Sequence, residues 1–176
     1  KGLEVIEAQH LFELPLSRID VVIHPEAVVH ALIELIDGTW MAQMSPCDMR
    51  LPIQQALSFP ERWETSVPRL ELTQLSALHF AAPDVEHFPC LRVALEAASR
   101  EGSACVVLNG ANETVVRAYL QAQASFADIP RVIADVLAQH TPVADLALEE
   151  IVALDAWSRR AASEALQAPP VLHLTT

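Results

Sequence analysis

Glycine is scarce. Gly2, Gly38, Gly102 and Gly110 are the only four in 176 residues, and no two lie close together. Neither a GxGxxG fingerprint nor a P-loop can be built from them, so this stretch of chain carries no recognisable nucleotide fold. Basic residues are also few: 11 Lys and Arg stand against 23 Asp and Glu, a formal net charge of −12. That balance argues against generic nucleic-acid binding, which needs phosphate-neutralising cations. An anionic ligand would need a locally placed cation. Cys47, Cys90 and Cys105 are odd in number, widely spaced and form no CxxC pair. No disulfide framework or cysteine zinc site is signalled, and reduced thiols in a cytosolic protein are expected. The apolar stretch VVIHPEAVVHALIELI (21–36) is interrupted by His, Pro and Glu. It falls short of the roughly 18 uninterrupted apolar residues of a membrane helix. No basic n-region with a cleavage site is present, so neither a membrane span nor a secretory leader is expected.

What is present is an apolar chain, 52% hydrophobic and 19% charged, enough for one core or two small ones. The opening KGLEVIEAQHLF has no Ser, Thr, Asp or Asn ahead of its first apolar residue to cap a helix. Leu3, Ile6 and Leu11 still fall near helical spacing, so the expectation is a helix entered partway, with further chain before Lys1. Pro15 closes that pattern. IDVVIH (19–24) reads as a buried strand. Residues 28–36 and 39–44 are predicted to pair antiparallel about the Asp37-Gly38 hairpin signal. SPCDMRLP (45–52) is predicted as a loop and PIQQALSF (52–59) as a short helix. Between Pro60 and Pro89 periodicity fades, as in an extended connecting arm. Beyond Pro89, four segments carry apolar residues at three- and four-residue spacing, which predicts a helical bundle. Asp128 is the expected N-cap of the third of them, with Pro130 in its first turn. The fold class is therefore α+β: a part with antiparallel strands followed by a four-helix bundle.

Several residues admit both a chemical and a structural reading. Lys1 and Glu4, at i and i+3, share one helix face. Together they offer a cation for a phosphate and a carboxylate for a hard divalent ion, or else a surface salt bridge of little weight. His24 and His30 would share a face if residues 24–30 were extended, and could line a site; otherwise each bonds backbone at a strand end. In SPCDMR, Asp48 and Arg50 suit an ion pair, while Met49 is either a loop residue with a role or core filler. In LNGANE (108–113), Asn109 or Asn112 as a cap and Glu113 near the dipole account for the pattern structurally.

The ordered set KGLEVIEAQHLF, IDVVIHPEAVVH, the strand pair around Asp37-Gly38, CDMRLPIQQALSFPER, FAAPDVEHFPCL, LNGANE and FADIPRVI resembles the C-terminal part of the 1-deoxy-D-xylulose 5-phosphate reductoisomerase family. The resemblance runs from Lys1 to about residue 165. It implies residues 1–58 as the end of a partial catalytic α/β domain, 59–88 as a connecting arm and 89–176 as the helical bundle. It also implies a soluble cytoplasmic homodimer using NADPH and a divalent metal, Mg or Mn, on a sugar-phosphate substrate, with no nucleic-acid or membrane partner. In such an enzyme the metal holds the substrate's carbonyl and hydroxyl oxygens while the skeleton rearranges. NADPH then delivers hydride, giving 2-C-methyl-D-erythritol 4-phosphate for non-mevalonate isoprenoid synthesis.

Carried over residue by residue, the resemblance makes Lys1 a substrate-phosphate contact and Glu4 a catalytic metal ligand. His30 becomes a catalytic and substrate-lining residue, and Met49 a contact on the nicotinamide side. Positions 26 and 27 are Glu-Ala where the family usually has Gln-Ser, Cys47 stands where its Pro-Asp-Met-Arg has Pro, and residue 110 is Gly rather than Ala. On this reading the chain is a portion inactive alone. The rivals are a non-catalytic assembly module and a diverged paralogue acting on another sugar phosphate.

Overall fold

The computed structural model describes residues 1–100 and 102–167; the last nine residues of the expected bundle region, 168–176, lie outside them. The fold is mixed α+β, with six α-helices and one two-stranded antiparallel sheet among the described residues. They divide into two compact units: Lys1–Asp20 together with the chain from Asp84 onward, and Val21–Pro83.

The helical unit begins with α1 (Gly2–Phe12), which ends where Glu13 turns left-handed and its N–H reaches the Gln9 carbonyl. Four further helices follow: α3 (Cys90–Arg100), α4 (Ser103–Leu120), α5 (Asp128–Ala138) and α6 (Leu148–Gln167). On α5 the buried residues are Ile129, Val132, Ile133, Val136 and Leu137, the i, i+3, i+4, i+7, i+8 stripe of an amphipathic helix. Opposite them, α3 buries Val93, Ala94, Ala97 and Ala98, and α6 buries Ser158, Ala161 and Ala162. These small side chains let the helices approach closely. The core they share with α4 includes Val107, Ala111 and Val115, each fully buried. Val5 and Ile6 of α1 are buried too, and α1 lies on α3.

LNGANE does not open a helix. It lies in the interior of α4, because the helical pattern continues upstream to Ser103 and no cap falls at either Asn. Glu113 there pairs with Arg159 at 2.9 Å. Gly110 faces α6, where an added Cβ would run into the Ser158 hydroxyl and come within 3.0 Å of the Asp155 carboxylate. Asp128 is the first residue of α5 rather than its cap, which is Ala127. Its carboxylate turns back to accept from the Ser125 N–H (2.9 Å) and hydroxyl (2.7 Å), and it also holds Arg131. Those hydrogen bonds hold its pKa down at about 2.

In the other unit, β1 (Val29–Glu34) pairs with β2 (Trp40–Met44) in the expected antiparallel register, Glu34 opposite Trp40 and Leu32 opposite Ala42. The connection is a turn closed by the Gly38 N–H on the Leu35 carbonyl, followed by Gly38 at φ 82°, a conformation glycine adopts without strain. Asp37 accepts from the Thr39 N–H at 2.9 Å. The segment 19–24 is not a buried strand. It makes a single bridge, Ile23 with Ala81, and Val22 and Ile23 are both about half exposed. β-propensity alone did not supply it with a ladder partner, and pairing is what makes a strand. α2 (Arg50–Ser58) starts two residues before the expected boundary, so Pro52 stands in its first turn, where a missing N–H costs nothing. From Phe59 to Pro89 the chain is irregular apart from a 3-10 turn at Leu72–Gln74.

Candidate functional site

The first turn of α1 carries Lys1 and Glu4. Their Nζ and Oε2 lie 2.5 Å apart, and the two side chains are 67% and 59% exposed. The contact with Lys1 holds the Glu4 carboxyl below its ordinary value, against a smaller upward push from burial. So exposed a pair is weak and easily exchanged for other partners. What fixes it in place is the intervening glycine: a Cβ on Gly2 would collide with that of Ala94 on α3. The Lys-Gly-Leu-Glu order thus seats the helix start against the bundle while leaving a cation and a carboxylate on the free side.

His30 sits at an irregularity. Val29 pairs with Met44 but Ala31 with Gln43, so His30 is the extra residue of a bulge. Bulges re-aim side chains. Here the His30 Nε2 lies 3.1 Å from the Ser45 carbonyl. A carbonyl can only accept, so Nε2 carries a proton and Nδ1 is the nitrogen left free of this contact.

His24 follows the backbone-bonded alternative as well. Residues 24–30 are not extended, since a turn closes from the Ala27 N–H to the His24 carbonyl and Ala27 adopts φ 51°. The Nδ1–H of His24 donates to the His79 carbonyl at 2.8 Å and the ring stacks on Phe80. Its Nε2 is buried with no hydrogen-bond partner among the described residues.

Ser45 leads into the SPCDMR loop. Asp48 and Arg50 form the ion pair expected of them, a fork with Nη2 to Oδ2 at 2.6 Å and Nε to Oδ1 at 3.0 Å. The Arg50 N–H also reaches Asp48, and these bonds hold the Asp48 carboxyl at about 2. The fork rigidifies the two residues on either side of Met49, which stands at the N-cap of α2 and is 70% exposed. Core filler is therefore the wrong account of Met49.

Lys1 and Glu4 belong to the helical unit and His30 and Met49 to the hairpin unit. Among the described residues no three His, Cys, Asp or Glu side chains converge to hold a metal ion. Glu4 fits a divalent ion as one hard oxygen ligand, and the remaining ligands would have to be supplied from elsewhere. Also among the described residues, no helix is long and apolar enough to cross a membrane.

Glu26, one of the departures from the family pattern, has a partner that the sequence does not signal. The Glu26 carboxylate accepts from the His79 N–H (3.1 Å) and from His79 Nδ1 (2.5 Å) and lies 3.1 Å from His24 Nδ1. Fifty-three residues separate 26 from 79, and no periodicity or local motif links them.

The profile of the DXP reductoisomerase C-terminal domain matches residues 44–161. The chain is 46% identical over 164 residues to a 1-deoxy-D-xylulose 5-phosphate reductoisomerase of Heliobacterium modesticaldum, covering 93% of this chain and 42% of that protein. It is 49% identical over 162 residues to its counterpart in Moorella thermoacetica, covering 92% and 42%. The chain thus spans about two fifths of the length of these curated relatives. Among solved structures, the reductoisomerase of Zymomonas mobilis in complex with NADPH superposes with a TM-score of 0.88 at 38% identity, covering 96% of this chain and 44% of that one. A DOX-P reductoisomerase in complex with NADPH, fosmidomycin and magnesium gives 0.89 at 42% identity, covering 94% and 43%. With the family profile matching most of its length and relatives nearly half identical over more than nine tenths of it, this chain belongs to the DXP reductoisomerase C-terminal domain family.

Proposed function

We propose that this chain is the C-terminal portion of an NADPH- and divalent-metal-dependent reductoisomerase that converts 1-deoxy-D-xylulose 5-phosphate to 2-C-methyl-D-erythritol 4-phosphate. In this reading residues 1–58 end the catalytic domain, 59–88 form the connecting arm and 89–176 the bundle. The carrying observation is the first turn of α1, an exposed Lys1–Glu4 pair held by the Gly2–Ala94 contact, in a chain 46% identical to a reductoisomerase over 93% of its length.

Lys1 donates charge-assisted hydrogen bonds to the substrate phosphate, exchanging Glu4 for it at little cost. Glu4, ionised well below neutral pH, contributes one oxygen to the metal. His30, its Nε2–H held by Ser45, presents Nδ1 to substrate. Met49 lays an exposed thioether against the nicotinamide side, between the forked Asp48 and Arg50. When bound, the divalent ion supplies Lewis-acid polarisation of the substrate's carbonyl and hydroxyl oxygens, and NADPH supplies the hydride. Homodimer formation and a cytoplasmic setting complete the reading, and exposed Ile33, Trp40 and Met41 on the hairpin support the former.

The test is Glu4→Gln in the full-length enzyme. The expected result is a metal requirement raised by about tenfold or more, with kcat lowered and NADPH affinity retained. Normal metal-dependent rates would overturn the Glu4 assignment. The 176 residues alone should consume no NADPH with the sugar phosphate, and measurable turnover would overturn the view that the site is completed by other chain. A substrate screen on the full-length protein separates the diverged-paralogue reading.

A further inference from the structure

Glu26 ties together two stretches of the hairpin unit that lie 53 residues apart. It binds both the backbone N–H and the ring of His79, while His24 reaches back to the His79 carbonyl. Immediately beside this knot lies the bridge of Ile23 to Ala81, closed by hydrogen bonds of 2.8 and 3.0 Å. The arm is thereby pinned to the turn at 24–27. Only three residues separate Glu26 from His30. Between them the Val28 carbonyl accepts from the Ser45 N–H at 3.0 Å, and the Ser45 carbonyl accepts from His30. The path from knot to bulge is short, and hydrogen-bonded at both ends.

A carboxylate suits this position better than an amide would. Its two oxygens face two N–H donors of His79, and both are acceptors only when the group is ionised. An amide nitrogen placed toward His24 or His79 would set donor against donor. The left-handed Ala27, unusual for a residue with a Cβ, needs such an external hold on its turn.

We propose that Glu26 and His79 form a paired positioning clasp that sets the turn and bulge presenting His30. The clasp rests on the function proposed above only for its catalytic consequence. Its structural claim stands apart.

The test uses the full-length protein labelled at histidine Cε1, with Glu26→Gln, His79→Gln and the double variant. The His30 ring resonance is read in each, with His140 of the helical unit as the internal control. Each single change is expected to move the His30 signal while His140 stays in place, and the double variant should move it no further than either single, as coupled residues do. A His30 signal unmoved by both single changes, or strictly additive shifts in the double, overturns the clasp. The same variants are then assayed. A severalfold fall in kcat with KM nearly constant is expected. A moved His30 signal with kcat/KM unchanged supports the clasp and overturns instead the assignment of His30 to substrate.

Discussion

The two units differ in where they keep their apolar side chains. The helical unit encloses a continuous core of Val, Ile, Leu and Ala from α1, α3, α4, α5 and α6. The hairpin unit buries almost none: only Ser58 and Val67 fall in the buried class, while Ile33, Ile36, Trp40, Met41, Ile53, Leu57 and Trp63 are more than half exposed. The first holds itself together by packing. The second is held by discrete polar contacts: the Gly38 turn, the Asp48–Arg50 fork, the Glu26–His79 knot and the Gln54 amide on the Trp63 and Glu64 carbonyls. Two of the four residues assigned to the site stand in this second unit. A surface that leaves large apolar groups uncovered is suited to partner and ligand contacts rather than to independent stability.

The sharpest way to break this contrast is to truncate one isoleucine in each unit. Ile133, 3% exposed in the α5 stripe, should cost about 2–5 kcal/mol when changed to Ala, since the closely packed neighbours collapse only partly into the void. Ile36, fully exposed at the hairpin tip, should cost less than about 0.5 kcal/mol. Urea titrations of the two variants give the comparison. Equal losses would mean that the hairpin unit has a core of its own.

A smaller effect is expected at Gly110. Alanine there improves helix propensity by roughly 1 kcal/mol, but its Cβ meets the Ser158 hydroxyl and the Asp155 backbone carbonyl at 3.2 Å. Overpacking of about 1–3 kcal/mol should outweigh the gain. Removing the hydroxyl with Ser158→Ala should recover part of the loss. A double-mutant cycle in thermal melts measures the coupling, and additive behaviour would show that α4 and α6 relax freely.

What was legible follows the range of the interactions. The five helices of the helical unit and the Asp37-Gly38 hairpin were readable because their signals are local: a 3.6-residue stripe such as Ile129 to Leu137, or a dipeptide that tolerates positive φ. The resemblance proposes Lys1, Glu4, His30 and Met49 for the site, and the geometry adds why three of them lie as they do, through Gly2 for Lys1 and Glu4 and the bulge at Val29/Ala31 for His30. Three features were hidden because they depend on distant chain. Ile19–His24 has strand composition but a single bridge partner, Ala81. LNGANE looked like a helix start because Asn and Glu favour caps, yet the packing of Ala104 and Val107 carries α4 through it. Glu26 meets His79 across 53 residues, and only folding brings the two together.

The least of the expected effects sharpens the contrast from the helical side, where one polar contact does the work elsewhere done by packing. Ser103, fully buried at the start of α4, accepts from the Val143 N–H at 2.7 Å and lies 2.7 Å from His140 Nε2. Burial pushes the His140 pKa below its ordinary value and so favours the neutral ring. In the unfolded chain His140 takes up a proton near pH 6.5, where the folded chain resists it. The unfolded state then binds more protons, so stability falls as pH drops through about 6.5 and levels off once the folded-state pKa is passed. The loss should be a fraction of the ~1.4 kcal/mol that one pKa unit represents, because the ring is only half-buried. Comparing melting temperatures of the parent and His140→Gln at pH 7.5 and 5.5 isolates it: the parent should lose more between the two than the variant. An equal loss in both would mean that the loop from Gln139 to Val143 is held without regard to the charge on His140, and that this contact, too, is ordinary packing.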